Sequence, residues 1–78
     1  MKYHGLYGLT DQEKRFMDVT ENNISYFNEN HKEKLAVEYY VDNGNVARIT
    51  KNGNTVMDLL SIESAFYAVA AIIRYTEV

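Results

Sequence analysis

The chain has 78 residues, no cysteine and no proline, and a formal net charge of −3 at pH 7. A single core of that size barely outweighs chain entropy, at roughly 1.5 kcal/mol of ordering cost per residue against about 25 cal/mol per Å² buried. Without cysteine there is neither a disulfide nor a thiolate metal site, and a small domain lacking such staples fits a reducing, intracellular setting.

Residues 1–39 carry five bases against seven acids, and residues 40–78 three against four. Neither half has the basic stripe through which duplex-DNA binders neutralise phosphate. An apolar fraction of 46% argues against disorder. The opening MKYHGLYGLT lacks the apolar core of a signal peptide. The longest greasy run, Ala65 to Ile73, is too short to span a bilayer. The expectation is a cytoplasmic chain with no membrane partner, on which the sequon Asn23-Ile24-Ser25 has no role.

Residues 1–9 are expected to be irregular. "TDQE" after Leu9 then fits a capping box, with Thr10 accepting from the Glu13 amide while Glu13 reaches back. At 100° per residue Phe16, Met17, Thr20, Ile24 and Phe27 share one side, so a helix is predicted from about Asp11 to Asn28. "ENN" at 21–23 is a candidate break, because asparagine competes for backbone hydrogen bonds.

"VEYYVDNGNVARITKNGN" follows, with two Asn-Gly steps that favour type I′ hairpin turns. They predict a three-stranded meander over about 35–41, 46–51 and 55–59. Plain two-residue loops put Val41 opposite Val46, Tyr39 opposite Arg48, Ile49 opposite Val56 and Arg48 opposite Met57. The core face is then Leu35, Val37, Tyr39, Val41, Val46, Met57 and Leu59, interrupted by Arg48 and two threonines. Ser61 is a natural N-cap for a last helix over about Ile62 to Tyr75, whose apolar stripe is Ile62, Phe66, Val69 and Ile73. A rival reading starts this helix at Thr55 and removes the third strand. The predicted fold class is a small single α+β domain, ordered α-β-β-β-α, with the last helix packed on an antiparallel meander.

Reactive groups are scarce. The two histidines, His4 and His31, have no partner at metal-ligand spacing, and His31 in "NENHKEK" reads as a surface residue. Ser25, Ser61 and Ser64 lack a nucleophile-elbow setting. "GLYG" at 5–8 is no phosphate loop, and the Asp42/Asn43/Asn45 turn lacks the terminal glutamate of a calcium loop. No enzyme, cofactor, metal or small-molecule substrate is expected.

Three binding surfaces remain. Tyr40 with Lys51 is the nearest approach to a single-strand nucleic-acid platform, and an amphipathic tyrosine covering a sheet edge is the favoured explanation of it. Asp11, Asp18 and Glu29 align along the first helix as a candidate acidic contact face, which a solvated helix side also explains. Most informative is the back of the last helix: Ser64, Tyr67, Ala68, Ala71 and Tyr75 stand where a solvent face carries Lys and Glu. Small residues framed by tyrosines fit a buried interface, against either the chain's own first helix or a second molecule. The expectation is a non-catalytic protein-binding module whose partner is another protein or a second copy. Short acidic chains without catalytic residues are of the type that mobile elements of the phage kind encode as accessory or inhibitory proteins.

Overall fold

The computed structural model describes Tyr3–His4 and residues 8–77. In chain order the elements are β1 (Tyr3–His4), α1 (Asp11–His31), β2 (Leu35–Asp42), β3 (Asn45–Lys51), β4 (Asn54–Leu59) and α2 (Ile62–Glu77). The helix, antiparallel meander and final helix are the predicted order. Tyr3–His4 adds a short strand parallel to Tyr39–Tyr40, so the sheet order is β1-β2-β3-β4. The rest of the segment expected to be irregular, up to residue 7 and including most of "GLYG", lies outside the described residues.

The capping box starts α1 as the sequence requires. The Thr10 amide donates to Glu13 Oε1 at 2.9 Å, and the Glu13 amide donates to Thr10 Oγ1 at 3.1 Å. The helix runs through Asn22 and Asn23 without a break and ends at His31. Burial explains this: Met17, Thr20, Ile24 and Phe27 are all in the core, and tertiary packing outweighs a weak local preference. The one buried polar side chain there, Thr20, donates to the Phe16 carbonyl at 2.6 Å. Lys32 closes the helix in the left-handed region, at φ 54°, with its amide donating to the Asn28 carbonyl.

Asn28 then ties the helix end to the sheet. Its Nδ2 donates to the Leu35 carbonyl and its Oδ1 accepts from the Leu35 amide, both at 2.9 Å. The side-chain amide thus satisfies both backbone groups at the start of β2, as a neighbouring strand would.

Both Asn-Gly turns form. Asn43 and Gly44 have φ of 53° and 86°, and Asn52 and Gly53 have 55° and 85°, the double positive φ of a type I′ turn. The register beyond each turn differs from the plain hairpin. Asp42 pairs with Asn45, but Tyr39 pairs with Ala47, so Tyr40 and Val41 together oppose Val46. Thr50 pairs with Thr55 and Ile49 with Met57, leaving Val56 as an extra residue on β4. These are β-bulges, and each moves the pairing by one residue. Tyr39 therefore faces Ala47 rather than Arg48, and Ile49 faces Met57 rather than Val56. Ala47 and Ile49, which alternation with an inward Arg48 would have turned outward, are fully buried, whereas Val41, expected in the core, is 56% exposed. Strand β4 stands, and the rival helix from Thr55 does not form.

Both helices lie on one side of the sheet. α1 rests on β2, α2 rests on β3 and β4, and the two helices pack against each other. Phe16 meets Phe66 at 5.0 Å between ring centroids, and Gln12 and Glu13 share a depression with Ser61 and Glu63. The helices therefore start side by side and run in the same direction. Between layers lies one core, including Met17, Phe27, Leu35, Tyr39, Ile49 and Val69. Among the described residues the opposite sheet face carries no helix, and it presents alternating residues such as Glu38, Tyr40, Arg48 and Asp58.

Candidate functional site

Ser61 caps α2 as expected, its Oγ accepting from the Ser64 amide at 3.0 Å. From that start the helix buries Ile62, Ala65 and Val69 and half-buries Phe66, Ala68, Ile72 and Ile73. What remains outward is the side singled out from the sequence. Ser64 and Ala71 are exposed, Tyr67 is 61% exposed and Tyr75 is 83% exposed. Ala68 departs from this set, being half-buried against the core. Glu63 and Arg74 are exposed along one margin.

The first helix does not cover this side. α1 lies beside α2, on the flank that carries Phe66, and Tyr67 sits at the rim of that contact. The Phe66 and Tyr67 rings meet edge to face at 5.2 Å, and Phe16 lies 6.5 Å from Tyr67. Between the helices Phe16, Val19 and Phe66, with Gln12 and Arg15 at the rim, line an open depression of about 210 Å³. Tyr67 is thereby held by two aromatic neighbours while most of its surface faces out. Sequence reasoning placed Phe16 and Phe66 in the core stripes and missed their part in this rim. The available signal was their position at the edge of each stripe, next to exposed positions.

On the other flank of α2 lies β4. All of its residues but Leu59 are exposed, and Met57 is 37% exposed although it points to the helix side. Leu60, in the two-residue link to α2, is 73% exposed. Met57, expected in the core, is thus only partly covered, and the exposure of Leu60 was not foreseen from the sequence.

The nucleic-acid constellation is not assembled. Tyr40 lies on the open sheet face, while Lys51 pairs with Leu35 and alternates with Ile49 on the helix side. Tyr40 instead meets Arg48 and Asp58. Arg48 Nε donates to Asp58 Oδ1 at 2.8 Å, the Tyr40 hydroxyl donates to the same oxygen at 3.1 Å, and Arg48 lies 5.3 Å from the Tyr40 ring centre. Hydrogen bonding from Arg48 holds the Asp58 carboxyl below its ordinary value. Burial and the bond to Asp58 push the Tyr40 phenol up. Because the Asp58 value is lowered in the fold, this tie stabilises above the ordinary carboxylate range and is lost as pH falls through the folded value. In Arg48→Gln the Asp58 carboxyl, followed by NMR against pH, is expected to titrate at higher pH than in the wild type.

Asp11, Asp18 and Glu29 are all exposed on α1, with Lys14 and Arg15 exposed on the same helix. His31 is half-buried, its ring 4.5 Å from that of Phe27, rather than a plain surface residue. Among the described residues no group of three His, Asp or Glu side chains is placed to hold a metal ion, and no helix is long and apolar enough to cross a membrane.

Compared with protein-family models, curated proteins and solved structures, the chain matches none.

Proposed function

We propose that the chain is a small non-catalytic protein-binding module that docks another protein through the outer side of α2. The observation that carries this is Tyr67, 61% exposed yet fixed by Phe66 and Phe16, beside Ala71 and Ser64. Tyrosines with an apolar body, a polar tip and little rotamer freedom are typical interface anchors. Small neighbours let a partner backbone approach closely, and the open depression between Phe16 and Phe66 offers room for an inserted apolar side chain. An accessory role, in which the bound partner is a larger enzyme and docking inhibits it, is the form of the proposal that suits a chain so short of reactive groups.

The test uses full-length protein as bait in lysate of the native host. Tyr67→Ala and Ala71→Glu change exposed positions, so both are expected to alter stability by less than about 0.5 kcal/mol. A partner held by the wild type and lost by both variants, at unchanged circular dichroism, is the expected result. A partner retained equally by both removes this surface from consideration. If Ala71→Glu unfolds the chain, the position is not free and the proposal fails.

A further inference from the structure

Of the asparagines in the chain only Asn43 and Asn52 precede glycine. That pairing is chemically fragile, because a residue without Cβ lets its backbone nitrogen reach the asparagine side-chain carbonyl. Both steps sit in type I′ turns at opposite ends of the sheet. Both tips are exposed, and open space lies beside each glycine, so access of solvent does not separate them. What separates them is how each asparagine is held. Asn52 is tied to the segment between α1 and β2 by three bonds. Its amide donates to the Lys34 carbonyl at 2.8 Å, its Oδ1 accepts from the Lys34 amide at 3.1 Å, and its Nδ2 donates to Glu33 Oε2 at 2.9 Å. The carboxamide is pinned at both ends. Asn43 has no such tie: among the described residues no hydrogen bond reaches its side chain.

We infer that Asn43 is a site of spontaneous deamidation, and that Asn52, in the same dipeptide and the same turn, is protected by Glu33 and Lys34. The Gly44 backbone nitrogen, having lost its proton to solvent base, attacks the side-chain carbonyl carbon of Asn43. The new carbon–nitrogen bond closes a five-membered succinimide, and the side-chain nitrogen leaves as ammonia. One water then opens the ring at either carbonyl, giving aspartate or isoaspartate. Closing the ring requires the asparagine to rotate out of its turn conformation, so the reaction follows local opening of the hairpin tip. At Asn43 only the turn itself resists that rotation. At Asn52 the bonds to Glu33 and Lys34 must break as well. Either product at position 43 adds a carboxylate beside Asp42, and isoaspartate also lengthens the backbone by one methylene next to the Asp42–Asn45 pair. No core residue lies in the turn, so the tip of the β2–β3 hairpin changes while the two layers stay in place.

The full chain, incubated in mildly alkaline buffer and sampled over several weeks, tests this by mass spectrometry of its tryptic peptides. Cleavage after Lys34, Arg48 and Lys51 puts the two steps on separate peptides, Leu35–Arg48 and Asn52–Arg74, and fragmentation assigns the acid form to one residue in each. In a parallel sample unfolded in guanidinium chloride, both sites are expected to convert at similar rates. In the folded chain Asn43 is expected to convert at least about tenfold faster than Asn52, the ratio that two ordinary hydrogen bonds imply. Glu33→Ala removes one of them and is expected to raise the Asn52 rate about threefold while leaving Asn43 unchanged. Isoaspartate is expected among the products at Asn43, since both acids arise from the ring. Equal folded rates overturn the inference, as does an Asn43 that stays intact while the unfolded sample converts. Aspartate as the sole product also overturns it, because the ring is then not formed. An Asn52 rate unmoved in Glu33→Ala, or a parallel rise at both sites, does the same, since the local ties then do not set the difference.

Discussion

Phe27→Ala is expected to destabilise the chain by about 3–5 kcal/mol, measured by urea unfolding followed in the far ultraviolet. Phe27 is 1% exposed and is among the largest side chains fully enclosed by the two layers. Its removal forfeits the transfer energy of an aromatic ring and leaves a hole between α1 and the sheet that the backbone cannot fill. A chain of this length has a total stability on the order of 4–12 kcal/mol, so the substitution removes a large share of it. His31, which stacks on the same ring, loses its apolar neighbour as well. A loss under about 1 kcal/mol would mean that the interlayer space collapses around the missing ring.

The second large effect is expected from Asn28→Ala, at about 2–4 kcal/mol. Two hydrogen bonds to Leu35 vanish together, and the amide and carbonyl of a buried strand residue are left without their partner. Leaving a buried polar group unsatisfied costs about 1–3 kcal/mol, far more than the net gain of forming the bond. Asn28→Asp separates the two halves of the clamp. The carboxylate still accepts from the Leu35 amide but cannot donate to its carbonyl, so an intermediate loss is expected from the same unfolding measurement. Equal losses in the two variants would assign the whole effect to the carbonyl side.

Much of the fold was legible because its signals are local. The capping box at Thr10, the Ser61 cap, the helical stripes and the two type I′ turns are each set within a few residues, and all occur. The register was not legible, since a bulge leaves no mark on short-range preference. Counting from the Asn-Gly steps put Arg48 inward and Ile49 outward, the reverse of what forms. Burial decides the matter: the bulges bring Ala47 and Ile49 under the helices and leave Arg48 outside to meet Asp58. The parallel strand at Tyr3–His4 was missed because two residues carry no periodicity. At the candidate site, the alternation of apolar and small residues on α2 located the outer side from sequence alone. The flanking aromatics Phe16 and Phe66, and the exposed strand β4, needed the packing of distant segments to appear.

The two bulges together act like a pair of compensating frameshifts. Each hairpin holds one valine, Val41 or Val56, that its ladder does not count, and the first offset throws β3 out of phase with a simple tally from β2 while the second restores β4. Apart from Val41 itself, inward positions on β2 and β4 therefore match that tally, and the middle strand betrays the slip. A chain shortened by these two valines would keep every inward side chain where it is. Length at these points is thus not dictated by the interior, and the two residues concerned stand 56% and 44% exposed at the rim.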